Sequence, residues 1–418
     1  MDFRFTEEQQ RVIDLCKELA KDFRTRAPEH DLNRTAPEEN YAILRESGLF
    51  GIAIPKEYGG IGIGFLGYSA AIAELAKGCA ATANSFNMHA NATGAILQHP
   101  DIPENVKQLV VDLAIKEGKL MCTSVSEPTS SSLLATSYTP SLKAEKVEGG
   151  YKLYGKKAFC SMVESSDYVY LYGHPKGDPN PQSSIGFLVP IDKGRMEGVT
   201  IYDTWNTLGM RATRSNTVEY DGVFVPNELV LHQTDQFLND FIIRGANWAF
   251  AGFAAVYLGV GLGILEYSSE LLTAKNPKGF SQPQAFHPDS RRRIGEMAAE
   301  LHAAYWSMMY AAWYSDTYGP SVETFHNFLK AKHMIAAATS NAARSATIAN
   351  GAHGLFKEFH LERMVRDAST APIMPPNIDA CADQIGLLTM GLNPSEACPP
   401  MKVEEPLFVP TVKEEVNS

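Results

Sequence analysis

The chain has 418 residues, 44% of them hydrophobic, and a formal net charge of −11. That length and content predict a substantial core split between two or three domains, with no unbroken apolar run suited to a membrane span. The acidic balance, with Arg291-Arg292-Arg293 as the one basic cluster, excludes a general nucleic-acid binder.

In chain order, Met1-Asp2-Phe3-Arg4 lacks the apolar stretch of a signal peptide. From Thr6 to about Gly118 the pattern is helical. Thr6 and Gln9 have capping-box spacing, and Val12, Leu15, Cys16 and Leu19 recur at helical intervals. This predicts an all-α domain over residues 1–120, interrupted by the Pro- and Gly-rich turn of Gly48 to Gly60. From Met121 to Leu231, β-prone pieces such as Tyr168 to Tyr172 and Ile185 to Pro190 alternate with turns and predict a small β-barrel or sandwich, residues 121–231. Long Ala-rich periodic stretches at Arg292 to Tyr318 and Ser321 to Asn350 then predict a helical bundle, residues 232–392, of four-helix type. Within it, Trp248 to Leu265 reads as a buried helix, and the arginine triplet as a solvated helix face or a site for a phosphate. Residues 393–418 carry Pro and charge without periodicity and read as a tail. The six cysteines, Cys16, Cys79, Cys122, Cys160, Cys381 and Cys398, show no metal spacing and fit reduced thiols of a cytoplasmic protein.

Several local motifs occur in a telling order. They are Gly48-Leu49-Phe50-Gly51 leading to Pro55-Lys56-Glu57-Tyr58-Gly59-Gly60, then Ser124-Val125-Ser126-Glu127-Pro128, then Gly155-Lys156-Lys157-Ala158-Phe159-Cys160-Ser161. Leu208-Gly209-Met210-Arg211-Ala212 and Leu361-Glu362-Arg363-Met364-Val365-Arg366-Asp367-Ala368 follow. This ordered set resembles the acyl-CoA dehydrogenase superfamily over roughly residues 3 to 392. The resemblance implies an α+β multidomain fold of helical domain, β-domain and helical bundle, and an FAD enzyme acting on an acyl thioester of CoA or a carrier protein. It further implies electron-transfer flavoprotein or O2 as electron acceptor, and a homodimer or homotetramer with the flavin at a subunit interface. By the same resemblance, Val125 and Ser126 lie along the isoalloxazine edge, Phe159 packs on the ring, and Ser161 binds it through a hydroxyl. Ser132, in the stretch Thr129 to Ser132 that replaces the family's glycine-rich run, is a further expected flavin contact. Phe280, the turn Gly351, Ala352, His353 and Gly354, and Asn377 complete the expected flavin contacts.

The departures from the family pattern cluster at the same site. The glutamate that removes the substrate α-proton aligns with Pro375, which carries no base. A second subgroup keeps its glutamate on the helix after the β-domain, where this chain has Asn247 or Ala249. The remaining candidates for a base are Asp379, Asp240 and His353, whose ordinary readings are a helix cap, a solvent-facing acid and a turn contact. Arg244 and Asn247 are candidate substrate contacts. The family's arginine and glutamine toward the partner's flavin diphosphate align with Pro277 and Ile348, a loss of roughly 1.5–3 kcal/mol per charge-assisted contact. Two classes of function remain: a flavin oxidoreductase, including a monooxygenase or desulfinase variant that needs no α-proton base, and a flavin-free member of the fold.

Overall fold

The fold is described from a computed structural model covering residues 2–128, 140–241 and 246–392, with Leu238 and Asn239 by backbone alone. The expectations at Ser132 and Arg244, the residues after Leu392 and Cys398 among them, lie outside these described residues.

The N-terminal helices are α1 (Glu7–Asn33), α2 (Glu38–Glu46), α3 (Gly64–Gly78), α4 (Ala80–Gln98) and α5 (Glu104–Val111). The capping box forms: Gln9 N donates to Thr6 Oγ1 at 3.2 Å and Thr6 N to Gln9 Oε1 at 2.9 Å, so two of the orphan N–H groups at this helix start are satisfied. Gln9 Nε2 also donates to the Ile63 carbonyl (2.8 Å), which fixes α1 on the entry to α3. Helix α4 is buried on every face. Its His89 accepts from Met121 N (3.2 Å) and donates to the Phe50 carbonyl (3.0 Å), and burial lowers its pKa to about 4, so it is a neutral structural link.

The middle of the chain forms β1 (Met121–Ser124), β2 (Lys143–Val147), β3 (Gly150–Cys160), β4 (Tyr168–Pro175), β5 (Ser184–Pro190), β6 (Val199–Tyr202), β7 (Asn216–Pro226) and β8 (Val230–Thr234). They make one mixed sheet in the order β6-β7-β3-β2-β4-β5-β8, with β1 pairing parallel to β4. The sheet folds over so that β5 also meets β7.

The chain then returns to helices: α6 (Phe237–Asp240), α7 (Ala246–Ala274), α8 (Pro288–Tyr318), α9 (Val322–Asn350), α10 (His360–Ala368) and α11 (Ile378–Thr389). Helix α7 is long and apolar enough to cross a membrane by composition alone, but 83% of its most apolar window is buried. It packs against α3, α4 and α9 and is shared by both helical blocks. Asp316 of α8 accepts from Phe65 N (2.7 Å) and Leu66 N (2.9 Å), capping α3 across the same junction.

The Leu361-to-Ala368 motif is helix α10, and it ties all three parts together. Arg366 pairs with Asp31 of α1 (2.6 Å) and Glu362 (2.7 Å). Buried Asp367 accepts from Met210 N (2.6 Å) and from Arg363 (3.2 Å). Gly209 lies directly on this helix, since a Cβ there would come within 2.1 Å of the Arg366 carbonyl oxygen.

Candidate functional site

The ends of β1 and β3 bring Ser126 beside Phe159. Ala158 N donates to the Ser126 carbonyl at 2.9 Å. The β3–β7 register shifts between Lys157 and Cys160, and this bulge turns Phe159 out of the sheet. Phe159 adopts φ +57° and is 61% exposed. A bulky side chain in the left-handed region is strained, and strain of this kind concentrates at functional sites. Trp205 meets the Phe159 ring edge-on at 6.1 Å, and the Trp205 Nε1 donates to the Met210 carbonyl (2.9 Å). The outcome is a braced aromatic face open to solvent.

Behind it, Ser161 shares a hydrogen bond with Ser215 (2.8 Å), and Ser215 shares one with Thr213 (2.7 Å). Ser161 is buried, whereas Ser126 is half-exposed and Val125 packs against the core. A buried ion pair links the two strand ends: Lys157 Nζ lies 2.6 Å from Glu127 Oε1. Burial pushes the Glu127 carboxyl up, but the Lys157 ammonium and the Ser141 N–H outweigh it and hold the carboxyl below its ordinary range. Sequence reasoning missed Trp205, Ser215 and this pair. The signal for the pair was present, because Glu127 and Lys157 directly follow and closely precede the two motif residues Ser126 and Phe159.

Pro375 and Pro376 occupy the segment between α10 and α11, and the segment carries no carboxylate. It is held from beneath. Lys332 of α9, fully buried, donates to the Ala371 carbonyl (2.9 Å), and Tyr257 of α7 shares a hydrogen bond with Thr370 (2.9 Å). Burial lowers the Lys332 pKa to about 8. The helix-cap reading of Asp379 is corrected here. Asn377, not Asp379, caps α11, accepting from Ala380 N at 2.8 Å, because the cap needs the extended backbone that Asn377 adopts at ψ 165°. Asp379 is exposed in the first turn.

The other two candidate bases are also dispersed. Asp240 is half-buried at the end of α6, and His353 is exposed in the turn after α9, its ring 6.1 Å from Phe356. Among the described contacts, none joins Asp379, Asp240 or His353 to Ser126, Phe159 or Ser161. Asn247 opens α7, is 2% exposed, and its Oδ1 has no hydrogen-bond partner among the described residues. Ala249 beside it is buried as well.

A hollow lies in the connection between the end of α7 and the start of α8. Lys275, Pro277 and Phe280 line a cleft of about 480 Å³, with Phe280 63% exposed. Gln284 Nε2 donates to the Ala349 carbonyl (3.0 Å), which brings this loop to the turn of Gly351, Ala352, His353 and Gly354. Gly351 adopts φ +64° and its first three residues are exposed, while Gly354 is buried.

Comparison with known proteins agrees with this layout. Descriptions of the acyl-CoA dehydrogenase N-terminal, middle and C-terminal domains match residues 6–101, 122–223 and 251–373. A dibenzothiophene monooxygenase of Mycolicibacterium goodii is 29% identical over 302 residues, covering 70% of each chain. The probable acyl-CoA dehydrogenase YngJ of Bacillus subtilis (strain 168) is 27% identical over 380 residues, covering 89% of this chain and 95% of its own. Among solved structures, FMN-bound TdsC from Paenibacillus sp. A11-2 has the same fold, with a TM-score of 0.80 at 24% identity, covering 91% of this chain and 97% of TdsC. With all three domains matched in order between residues 6 and 373, the protein belongs to the acyl-CoA dehydrogenase family, whose cofactor is a flavin, typically FAD.

Proposed function

We propose that this chain is a flavin-dependent monooxygenase of the acyl-CoA dehydrogenase fold, acting on a small apolar molecule and not on an acyl thioester. One observation carries the reading: both positions aligned with the family's glutamates hold uncharged residues, Pro375 in one and Asn247 or Ala249 in the other. α-Proton abstraction needs a base within hydrogen-bond reach of the carbon acid. The likeness to dibenzothiophene monooxygenase adds support.

The residues present fit the ring of a flavin. Phe159 offers an exposed face in a strained backbone, half-exposed Ser126 lies beside it, and the buried Ser161 hydroxyl lies behind it on Ser215. A bound, reduced flavin supplies the electrons for transferring one atom of dioxygen to a substrate while the other leaves as water, a chemistry that asks for no α-proton base. The chain's part is positional. Trp205 braces Phe159, the Glu127–Lys157 pair fixes the spacing of the two strand ends, and the segment around Pro375 supplies no carboxylate. Asn247 offers a neutral, buried amide to a polar atom of the substrate. The exposed apolar residues Phe280, Ile348, Leu355 and Phe356 suit a contact between copies in a homo-oligomer.

The test is anaerobic mixing of the flavin-loaded protein with a series of straight-chain acyl-CoAs, alongside ¹⁸O₂ turnover of the reduced enzyme with heteroaromatic substrates. The expected result is no flavin bleaching in the first and one labelled oxygen in the product of the second. Stoichiometric bleaching by an acyl-CoA at a catalytic rate would overturn the proposal. It would favour a second reading, dehydrogenation of a thioester with a relocated base, to which the full-length likeness to YngJ gives weight.

A further inference from the structure

Helix α8 carries a stripe of aromatic residues. Trp306, Tyr310, Trp313, Tyr314 and Tyr318 recur at intervals of three and four residues and so share one side of the helix. Their rings follow one another: Tyr310 lies 6.2 Å from Trp313 and 6.0 Å from Tyr314, and Tyr314 lies 4.6 Å from Tyr318. Phe3 packs edge-on against Trp306 (5.8 Å) and Trp313 (5.9 Å). Among the described residues the stripe stays open, with Trp306 55% and Tyr318 62% exposed, and exposed Val322 at the start of α9 extends it. A ladder of solvent-facing rings differs from an ordinary charged helix face and marks a surface of interaction.

The chain leaves the described structure beside this stripe. Helix α11 packs along α9, where His333 Nδ1 donates to the Ile378 carbonyl (3.3 Å) and His326 lies against the backbone of Ile385. Positions 378 to 385 therefore run against 333 to 326, and continuing in step brings Thr389 level with Val322, just past Tyr318. Residues 393–418 follow. Their longest run of large apolar side chains, Leu407-Phe408-Val409, stands between Pro406 and Pro410, with Glu404-Glu405 and Glu414-Glu415 outside them. Apolar segments bounded by prolines are what aromatic-lined surfaces recognise, because proline rings stack on aromatic rings and lose little freedom on docking. The 14 residues from Leu392 to Pro406 reach up to about 46 Å, against about 18 Å along α8 from Tyr318 to Trp306. A segment tethered at one end of the stripe meets it at an effective concentration of millimolar order, which favours it over a second copy in solution.

We propose that Pro406 to Pro410 docks on the aromatic stripe of α8 in its own chain, with Phe408 and the two prolines packed on the rings. Two of the chain's four tryptophans lie on the stripe, so tryptophan emission of the full-length protein reports its cover. Leu407→Ser combined with Phe408→Ser should shift that emission to the red and raise its quenching by acrylamide. The same pair should have almost no effect in a Trp306→Phe, Trp313→Phe background, which ties the change to the stripe. In a Cys398→Ser background, Phe408→Cys with Tyr310→Cys should form a disulfide on mild oxidation within one chain, read as a monomer band and a linked pair of tryptic peptides. Unchanged emission and quenching in the serine variant would overturn the proposal, as would a disulfide that forms only between two chains. Shielding of the tryptophans that is lost when the wild-type protein is diluted would also overturn it, since that is the mark of a second copy on the stripe.

Discussion

Helix α10 and the segment after it, Ser369 to Asn377, adjoin in sequence and are opposite in character. In α10 the side chains of Glu362, Arg363, Arg366 and Asp367 all have ion-pair partners, and one of these partners, Asp31, lies on α1. The following nine residues contain no charged side chain. Backbone groups hold them: Ala371 O accepts from Lys332, Pro376 O from the Cys381 thiol (3.4 Å), and Pro372 O from Ile378 N (2.9 Å). The part of the chain that most resembles a functional signature is thus a rivet between three structural blocks. The chemistry was altered next to it, where side chains can change without breaking any of those pairs.

The comparison is broken most severely at the rivet. Asp367→Ala leaves Met210 N and the Arg363 guanidinium buried without their acceptor, and should cost about 3–5 kcal/mol in denaturant unfolding. A loss under about 1 kcal/mol would mean that α10 is not the junction described.

Lys332 tests the other side. A lysine whose folded pKa is depressed releases its proton before the unfolded chain does. The unfolded state therefore holds more protons between the folded value of about 8 and the ordinary 10.5. Stability from this group should rise as pH increases through that window, by up to about 3 kcal/mol. The groups facing it are the Tyr257 ring at 5.6 Å and Cys381, whose own pKa burial raises to about 11. Lys332→Met should abolish the rise in unfolding midpoint between pH 8 and 10.5, and an unchanged pH profile would refute the assignment.

Phe159→Gly sharpens the contrast between scaffold and site. Removing a bulky side chain from φ +57° should stabilise the flavin-free protein by about 1 kcal/mol while weakening flavin binding on the order of tenfold. Gains and losses in opposite directions would separate function from folding at this residue. Asn377→Ala should cost about 1 kcal/mol through the lost cap of α11, and a large loss of flavin affinity in the same variant would support the expected flavin contact. The smallest effect is expected for Asp379→Asn. An exposed acid without a site partner should leave turnover within about twofold, whereas a true base would lose about 10²- to 10⁴-fold.

The sequence by itself determined what is local and periodic. The Thr6–Gln9 box, the strands at Tyr168 and Ser184, the long helices α8 and α9, and the order of motifs all follow from nearest-neighbour chemistry and 2- or 3.6-residue spacing. It also determined which residues are absent, so the missing glutamates were legible without coordinates. Tertiary structure decided where polar groups go. The bulge that turns Phe159 outward exists only in the pairing of β3 with β7. The burial of Lys332 depends on α7 and the α10–α11 segment closing over it. Of the three adjacent arginines of α8, Arg291 and Arg292 find partners within five residues, whereas Arg293 faces α9 across a groove. A charged side chain's cost or use is set by the partners it finds across the chain, and those partners are far apart in sequence.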